Sequence, residues 1–168
     1  RATELVGYAT MTPIQAQALP LMLAGRDVIG QAQTGSGKTA AFGLALLQAM
    51  DSSVMATQAM VLCPTRELAD QVSQEIRRYA QRMDNLRVLS VCGGRPYRDQ
   101  VQALKRGIHV VVGTPGRIKK HLSEGNLKLK KLKVMVLDEA DRMLDMGFID
   151  DVMTVIRRSP PARQTLFF

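Results

Sequence analysis

Ala32-Gln33-Thr34-Gly35-Ser36-Gly37-Lys38-Thr39 lies between a short apolar run at Val28 and Ile29 and an Ala- and Leu-rich segment that begins near Lys38. A strand, a tight loop and a helix start, in that order, predict a phosphate-binding loop. Gly35 and Gly37 let the backbone turn its N–H groups inward, where the positive end of the helix adds to their pull on phosphate. Lys38 supplies a mobile charge for the terminal phosphates, and the Thr39 hydroxyl is placed to ligate Mg²⁺. Ala32 stands where the strict pattern has its first glycine, one small residue for another. A glycine turn that merely joins a strand to a helix is the alternative, and it accounts poorly for an adjacent Gly-Lys-Thr at the helix start.

The 168 residues, 46% hydrophobic and 23% charged, predict one domain over residues 1–168 with a sizeable core. No run approaches the roughly 18 apolar residues of a membrane span, so no membrane partner is expected. Arg1 opens the chain without an initiator Met or a signal-peptide pattern, which suggests a piece cut from a longer protein. Cys63 and Cys92 stand alone, each closing an apolar run. They read as small core residues in a reducing cytoplasm and not as a zinc site or disulfide framework. The net charge of +8 favours a polyanion, most commonly nucleic acid, with a merely well-solvated surface as the alternative.

From Thr12 the chain reads as a helix, with Thr12 as N-cap, Pro13 in the first helical position and Gly25 as the stop. Gln15, in its first turn, has an amide able to donate to and accept from an adenine edge, or to serve only as an exposed helix residue. Ala59 to Cys63 is a continuous apolar run, as for a strand covered on both faces. It leads into Pro64-Thr65-Arg66-Glu67-Leu68-Ala69, where Thr65 caps an amphipathic helix bearing Leu68, Val72, Ile76 and Tyr79 on one side.

Arg87 to Cys92 alternates like a strand, ends in Gly93-Gly94 and is followed by a helix from about Pro96 to Arg106. Ile108 to Gly113 is the next strand, running into Thr114-Pro115-Gly116-Arg117. His109 inside it reads as a structural, hydrogen-bonded histidine, and His121, among lysines on a helix, as solvated. The lysines between 128 and 133 alternate with leucines and lack aromatic neighbours for base stacking, which favours a solvated loop entering a strand over a nucleic-acid patch. Val134 to Leu137 is a buried strand that delivers Asp138-Glu139-Ala140-Asp141. Phe148, Val152, Val155 and Ile156 mark a last helix, and Gln164 to Phe168 a final strand.

Six strands separated by helices predict an α/β fold, an open and mostly parallel sheet with helices on both faces. Right-handed crossovers then bring the loops after Ile29, Cys63, Cys92, Val112 and Leu137 to one edge. Asp138 at that edge can hold Mg²⁺ through its water shell, and Glu139 can orient and deprotonate an attacking water.

Thr12-Pro13-Ile14-Gln15, the loop 32–39, Pro64 to Ala69, Gly93-Gly94, Thr114 to Arg117 and Asp138 to Asp141 occur in the order typical of DEAD-box ATP-dependent RNA helicases. The chain resembles that family over almost its whole length, and within it most resembles the bacterial DbpA-type members. It departs at Met11, where the family usually has Pro. The resemblance implies an N-terminal RecA-like P-loop domain whose cofactors are ATP and Mg²⁺. Gln15 would read adenine, residues 32–39 would bind ATP, and Lys38, Thr39, Asp138 and Glu139 would carry hydrolysis. Pro64, Thr65, Arg66, Gly93, Gly94, Thr114, Pro115, Gly116 and Arg117 would hold an RNA backbone independently of sequence. The resemblance also implies a cytoplasmic monomer and a second RecA-like domain, outside this chain, that donates arginine fingers. Two other functions stay open: a binding module without useful turnover, and a different P-loop enzyme such as a small-molecule kinase, for which no acceptor lid is evident.

Overall fold

The computed structural model describes residues 10–33 and 35–168; the expectation for Thr34 in the phosphate-binding loop falls outside the described residues. Elements alternate along the chain as α1 (Pro13–Leu23), β1 (Val28–Ile29), α2 (Lys38–Gln48), β2 (Ala59–Leu62), α3 (Arg66–Tyr79), β3 (Val88–Val91) and α4 (Tyr97–Lys105). There follow β4 (Val110–Gly113), α5 (Pro115–Ser123), β5 (Val134–Leu137), α6 (Ala140–Asp145), α7 (Ile149–Arg157) and β6 (Gln164–Phe167). The six strands are those expected. The short α6, directly after the acidic pair, has no counterpart in the sequence reading.

Local chemistry sets the helix starts. Thr65 Oγ1 accepts from Leu68 N at 3.2 Å, Glu67 lies in the first turn of α3, and Arg77 and Arg78 lie in its last, each end matching the helix dipole. At α1, Gln15 Oε1 accepts from Thr12 N at 3.0 Å, the reciprocal bond of a capping box.

All five strand pairings are parallel, in the order β1-β6-β5-β2-β4-β3. The register aligns the strand ends, because Ile29 pairs with Phe167, Phe167 with Leu137, Leu137 with Leu62, Leu62 with Gly113 and Gly113 with Val91. Every loop that leaves a strand therefore leaves from one row. The strands of β2, β4 and β5 are buried throughout, and successive residues feed opposite cores. Val61, Val112 and Val136 pack with Phe42, Leu46, Val72 and Ile76 of α2 and α3 on one face. Met60, Val111 and Met135 pack with Ile118, Met143 and Val155 of α5, α6 and α7 on the other.

Both cysteines are free and fully buried, and burial raises both thiol pKa values, that of Cys63 well above its usual value. His109 is buried and its Nδ1 accepts from Arg87 N at 3.1 Å, the structural role expected of it. His121 contradicts its solvated assignment. It is 0% exposed, because it shares the inward face of α5 with Ile118, three residues earlier. Leu127, Leu129 and Leu132 are buried while Lys128, Lys130, Lys131 and Lys133 are exposed, as expected of a loop entering a strand. Among the described residues, no helix is long and apolar enough to cross a membrane.

Phe42 is 0% exposed, with its ring 5.6 Å from that of Phe168. Phe42→Ala should lower stability by about 3–5 kcal/mol. Thermal melting checks this, and for a domain of this size the loss corresponds to a fall of roughly 6–20 °C.

Candidate functional site

The two-residue β1 ends in a loop whose Gly35 and Gly37 have φ of +79° and +88°, so both turn through the left-handed region that favours glycine. Gly37 is also the N-cap of α2, and a Cβ there would lie 2.5 Å from Gln15 Nε2. Only glycine fits between the loop and α1. Gln15 Nε2 in turn donates to the Gly37 carbonyl at 3.2 Å, and Gln15 is only 5% exposed. This rules out the exposed-helix reading of Gln15, whose side chain braces the loop. The first turn of α2 carries no acidic side chain, so its free amides and dipole are left for an anion from outside. Ser36 Oγ in the same loop is buried without a hydrogen-bond partner among the described residues. An orphaned donor, two left-handed glycines and an uncompensated helix start together fit a chain of phosphates.

β6 lies between β1 and β5, so the loop after β1 faces the acidic pair after β5 across the end of one strand. The cleft between them has a volume of about 1010 Å³, and Gln31, Lys38, Glu139, Arg142 and Phe168 are among its lining residues. Asp138 is 3% exposed, and its N–H donates to the Leu62 carbonyl at 2.9 Å. Burial pushes its carboxyl pKa up to about 6, against the attraction of Lys38 and helped by the repulsion of Glu139. A carboxylate so desolvated, beside a lysine, fits a cation brought in by a ligand. Among the described residues no cluster of three or more His, Cys, Asp or Glu could hold a metal ion.

Glu139 has φ 52° and ψ 52°, a left-handed conformation that is uncommon for a residue with a side chain. The turn is held by Ala140 N donating to the Phe168 carbonyl at 2.9 Å and Met143 N to the Glu139 carbonyl at 3.1 Å. Glu139 Oε2 accepts from Arg142 Nη1 at 3.2 Å, so Arg142 pairs with a neighbouring acidic side chain.

The remaining motifs gather on β2, β4 and β3, the other half of the row. Arg66 opens α3 after β2 and is exposed, with no hydrogen bond or ion pair among the described residues. Gly94, at φ +74°, leaves room that the Arg66 guanidinium fills, and Arg117 Nη2 lies 3.9 Å from where a Cβ on Gly93 would stand. Pro115 takes the first position of α5, with Thr114 as N-cap, and Thr114 N donates to the Val91 carbonyl at 3.2 Å. Two guanidinium groups thus converge on one glycine turn. A Cβ on Gly116 would lie 3.3 Å from Asp151 Oδ2, and Lys119 pairs with Asp151 at 2.7 Å.

Sequence reasoning missed Tyr97, Gln100 and the buried role of His121. Gln100 Nε2 donates to the Cys92 carbonyl at 2.8 Å, its Oε1 lies 2.8 Å from His121 Nε2, and Tyr97 stacks on His121 with ring centroids 4.3 Å apart. The 3-residue spacing of Ile118 and His121 could have exposed the histidine; nothing in the chain marks Gln100.

Asp138 makes the ligand-free stability depend on pH. Its folded pKa, near 6, lies above the ordinary 3.8, so its contribution is full at low pH and is lost as pH rises through 6. Asp138→Asn should therefore be more stable than the parent at pH 8 by roughly 1–3 kcal/mol, with the gap closing at pH 4.5. Melts without nucleotide or Mg²⁺ at the two pH values measure it; an equal gap at both would remove burial of charge as the cause.

Residues 12–168 match the family model described as DEAD/DEAH box helicase. The chain is 58% identical over 163 residues to the ATP-dependent RNA helicase DbpA of Escherichia coli, covering 97% of this chain and 36% of that protein. It is 49% identical over 168 residues to the DEAD-box ATP-dependent RNA helicase CshA of Geobacillus kaustophilus, covering all of this chain and again 36% of the relative. A solved DEAD box protein from the hyperthermophile Methanococcus jannaschii superposes with a TM-score of 0.94 at 40% identity, over 99% of this chain and 46% of that one. This chain thus spans about a third of the length of these curated relatives. With a parallel six-stranded sheet of the RecA-like kind and a family match over nearly all its residues, the chain belongs to the DEAD/DEAH box helicase family.

Proposed function

We propose that this chain is the N-terminal ATP- and RNA-binding domain of a cytoplasmic ATP-dependent RNA helicase, a monomer that couples ATP hydrolysis to local unwinding together with a second RecA-like domain. The observation that carries the reading is the division of one row of strand ends. Phosphate loop and acidic pair face each other over β1, β6 and β5, and two arginines without an acidic partner among the described residues meet a glycine turn over β2, β4 and β3. Adjacent strands lie about 4.8 Å apart, so nucleotide and RNA sit within a few strand widths of each other.

In this reading residues 32–39 cradle the phosphates and Thr39 with Asp138 hold Mg²⁺, the latter through water. Lys38 meets the β- and γ-phosphates, and Glu139 orients the attacking water. Gln15 keeps one N–H and one lone pair for adenine beyond its bonds to Thr12 and Gly37, which would tell the loop that the base is bound. Pro64, Thr65, Arg66, Gly93, Gly94, Thr114, Pro115, Gly116 and Arg117 hold the RNA backbone by charge and amides, which position without reading sequence.

Turnover by this chain alone is expected to be slow. Among the described residues Lys38 and Arg142 are the cations that line the cleft, and Arg142 is engaged by Glu139. The resemblance assigns the missing transition-state arginines to the second domain, and such an arginine is worth about 10³–10⁵ in rate.

Lys38→Ala should weaken ATP–Mg²⁺ binding roughly ten- to a hundredfold, the value of a charge-assisted bond of about 1.5–3 kcal/mol. Calorimetric titration checks this, and equal affinities would refute the phosphate-loop assignment. Phosphate release with saturating RNA should stay far below the about 1–100 s⁻¹ of complete phosphoryl-transfer enzymes, and no duplex should be displaced. Fast release that Glu139→Gln abolishes would show the site to be complete without a second domain.

A further inference from the structure

The two glycine-and-arginine elements are joined by a closed ring of side chains from α4 and α5, of which Arg117 alone belongs to a phosphate or RNA motif. Gln100, 4% exposed, fixes its own orientation by donating from Nε2 to the carbonyl of Cys92, the residue before Gly93-Gly94. Its Oε1 must then face His121, so Nε2 of His121 is the protonated nitrogen and donates at 2.8 Å. The same Oε1 lies 3.4 Å from Arg117 Nη1. Arg117 Cζ stands 5.3 Å from the centroid of the Tyr97 ring, and the ring stacks on His121 at an interplanar angle of 11°. The circuit Gln100, Arg117, Tyr97, His121 and back to Gln100 is complete.

The circuit holds a cation without neutralising it. Arg117 touches one neutral amide oxygen and the face of one ring, so its charge and most of its N–H donors remain available beside Gly93. His121 stays neutral near pH 7 because burial and the nearby Arg117 and Lys120 lower its pKa to about 4, so it does not repel the guanidinium it supports. The Tyr97 hydroxyl is anchored outside the circuit, on Glu124 and Asn126. We propose that Tyr97, Gln100 and His121 are positioning residues that preset the Arg117 guanidinium against the Gly93–Gly94 turn to receive an RNA phosphate. The proposal rests on the reading of Arg117 as an RNA-backbone contact, and it makes α4 part of the RNA grip.

The test is a double-mutant cycle on this chain. Binding of a labelled single-stranded oligouridylate is read by fluorescence anisotropy, with ATP binding by calorimetry and the melting temperature as controls. Y97L should weaken RNA binding roughly two- to fivefold, the range of a half-exposed cation–π contact, with ATP affinity unchanged. In an R117A background Y97L should have no further effect. Y97F, which keeps the ring, should restore parental affinity. Q100L cuts both the Cys92 and the His121 bonds and should weaken RNA binding at least as much; if it lowers the melting temperature below the assay range, the two Tyr97 variants decide. No loss in Y97L, or an equal loss with and without Arg117, overturns the proposal. R117A binding RNA as tightly as the parent would instead overturn the reading of Arg117 itself.

Discussion

The common row of strand ends is the constraint on which the rest depends. Parallel pairing with no stagger between neighbours forces Ile29, Phe167, Leu137, Leu62, Gly113 and Val91 onto one line, so the five loops that follow β1 to β5 start at the same height. A shift of one residue in β5 would turn Val136 and Leu137 to opposite cores and move Asp138 and Glu139 off the row of strand ends. The chemistry is therefore protected by the packing of Met135 and Val136, both fully buried.

Within that frame the nucleotide half is held in a state of electrostatic tension. Asp138 sits where water cannot solvate it, Glu139 adopts a backbone conformation that a side chain disfavours, and Ser36 Oγ lacks a partner among the described residues. Each costs free energy in the ligand-free chain, and a bound cation or phosphate would relieve the first and the last. The other half follows the opposite policy: its arginines are exposed or held by neutral groups, ready but unstrained. Tight, geometry-dependent binding suits the first arrangement and adaptable contact with a long backbone the second.

Much of this was legible in the residues. The apolar tetrads of β2, β4 and β5, the glycines and Lys38 of the phosphate loop, and the capping Thr65 are local signals, and local signals survive folding. Long-range facts were not legible. That Gln15 reaches Gly37, 22 positions away, or that Gln100 reaches His121, 21 away, depends on which helices the sheet brings together, and a polar side chain carries no mark of its eventual partner. His121 was misjudged because its lysine neighbours are on the outer face of α5, whereas the periodicity through Ile118 belongs to the inner one. The helix α6 escaped because Ala140–Asp145 is too short and too polar to show a period.

The two buried thiols have a practical consequence. Cys63 and Cys92 are inaccessible, and burial holds both thiols in the protonated, unreactive form. A thiol-directed dye therefore finds no native target while the fold is intact, and a cysteine introduced on the surface is the single reactive site. Fluorophores can then be placed on the nucleotide and RNA halves to follow ligand-linked motion without replacing either core cysteine, and so without opening a cavity in the sheet that aligns the loops.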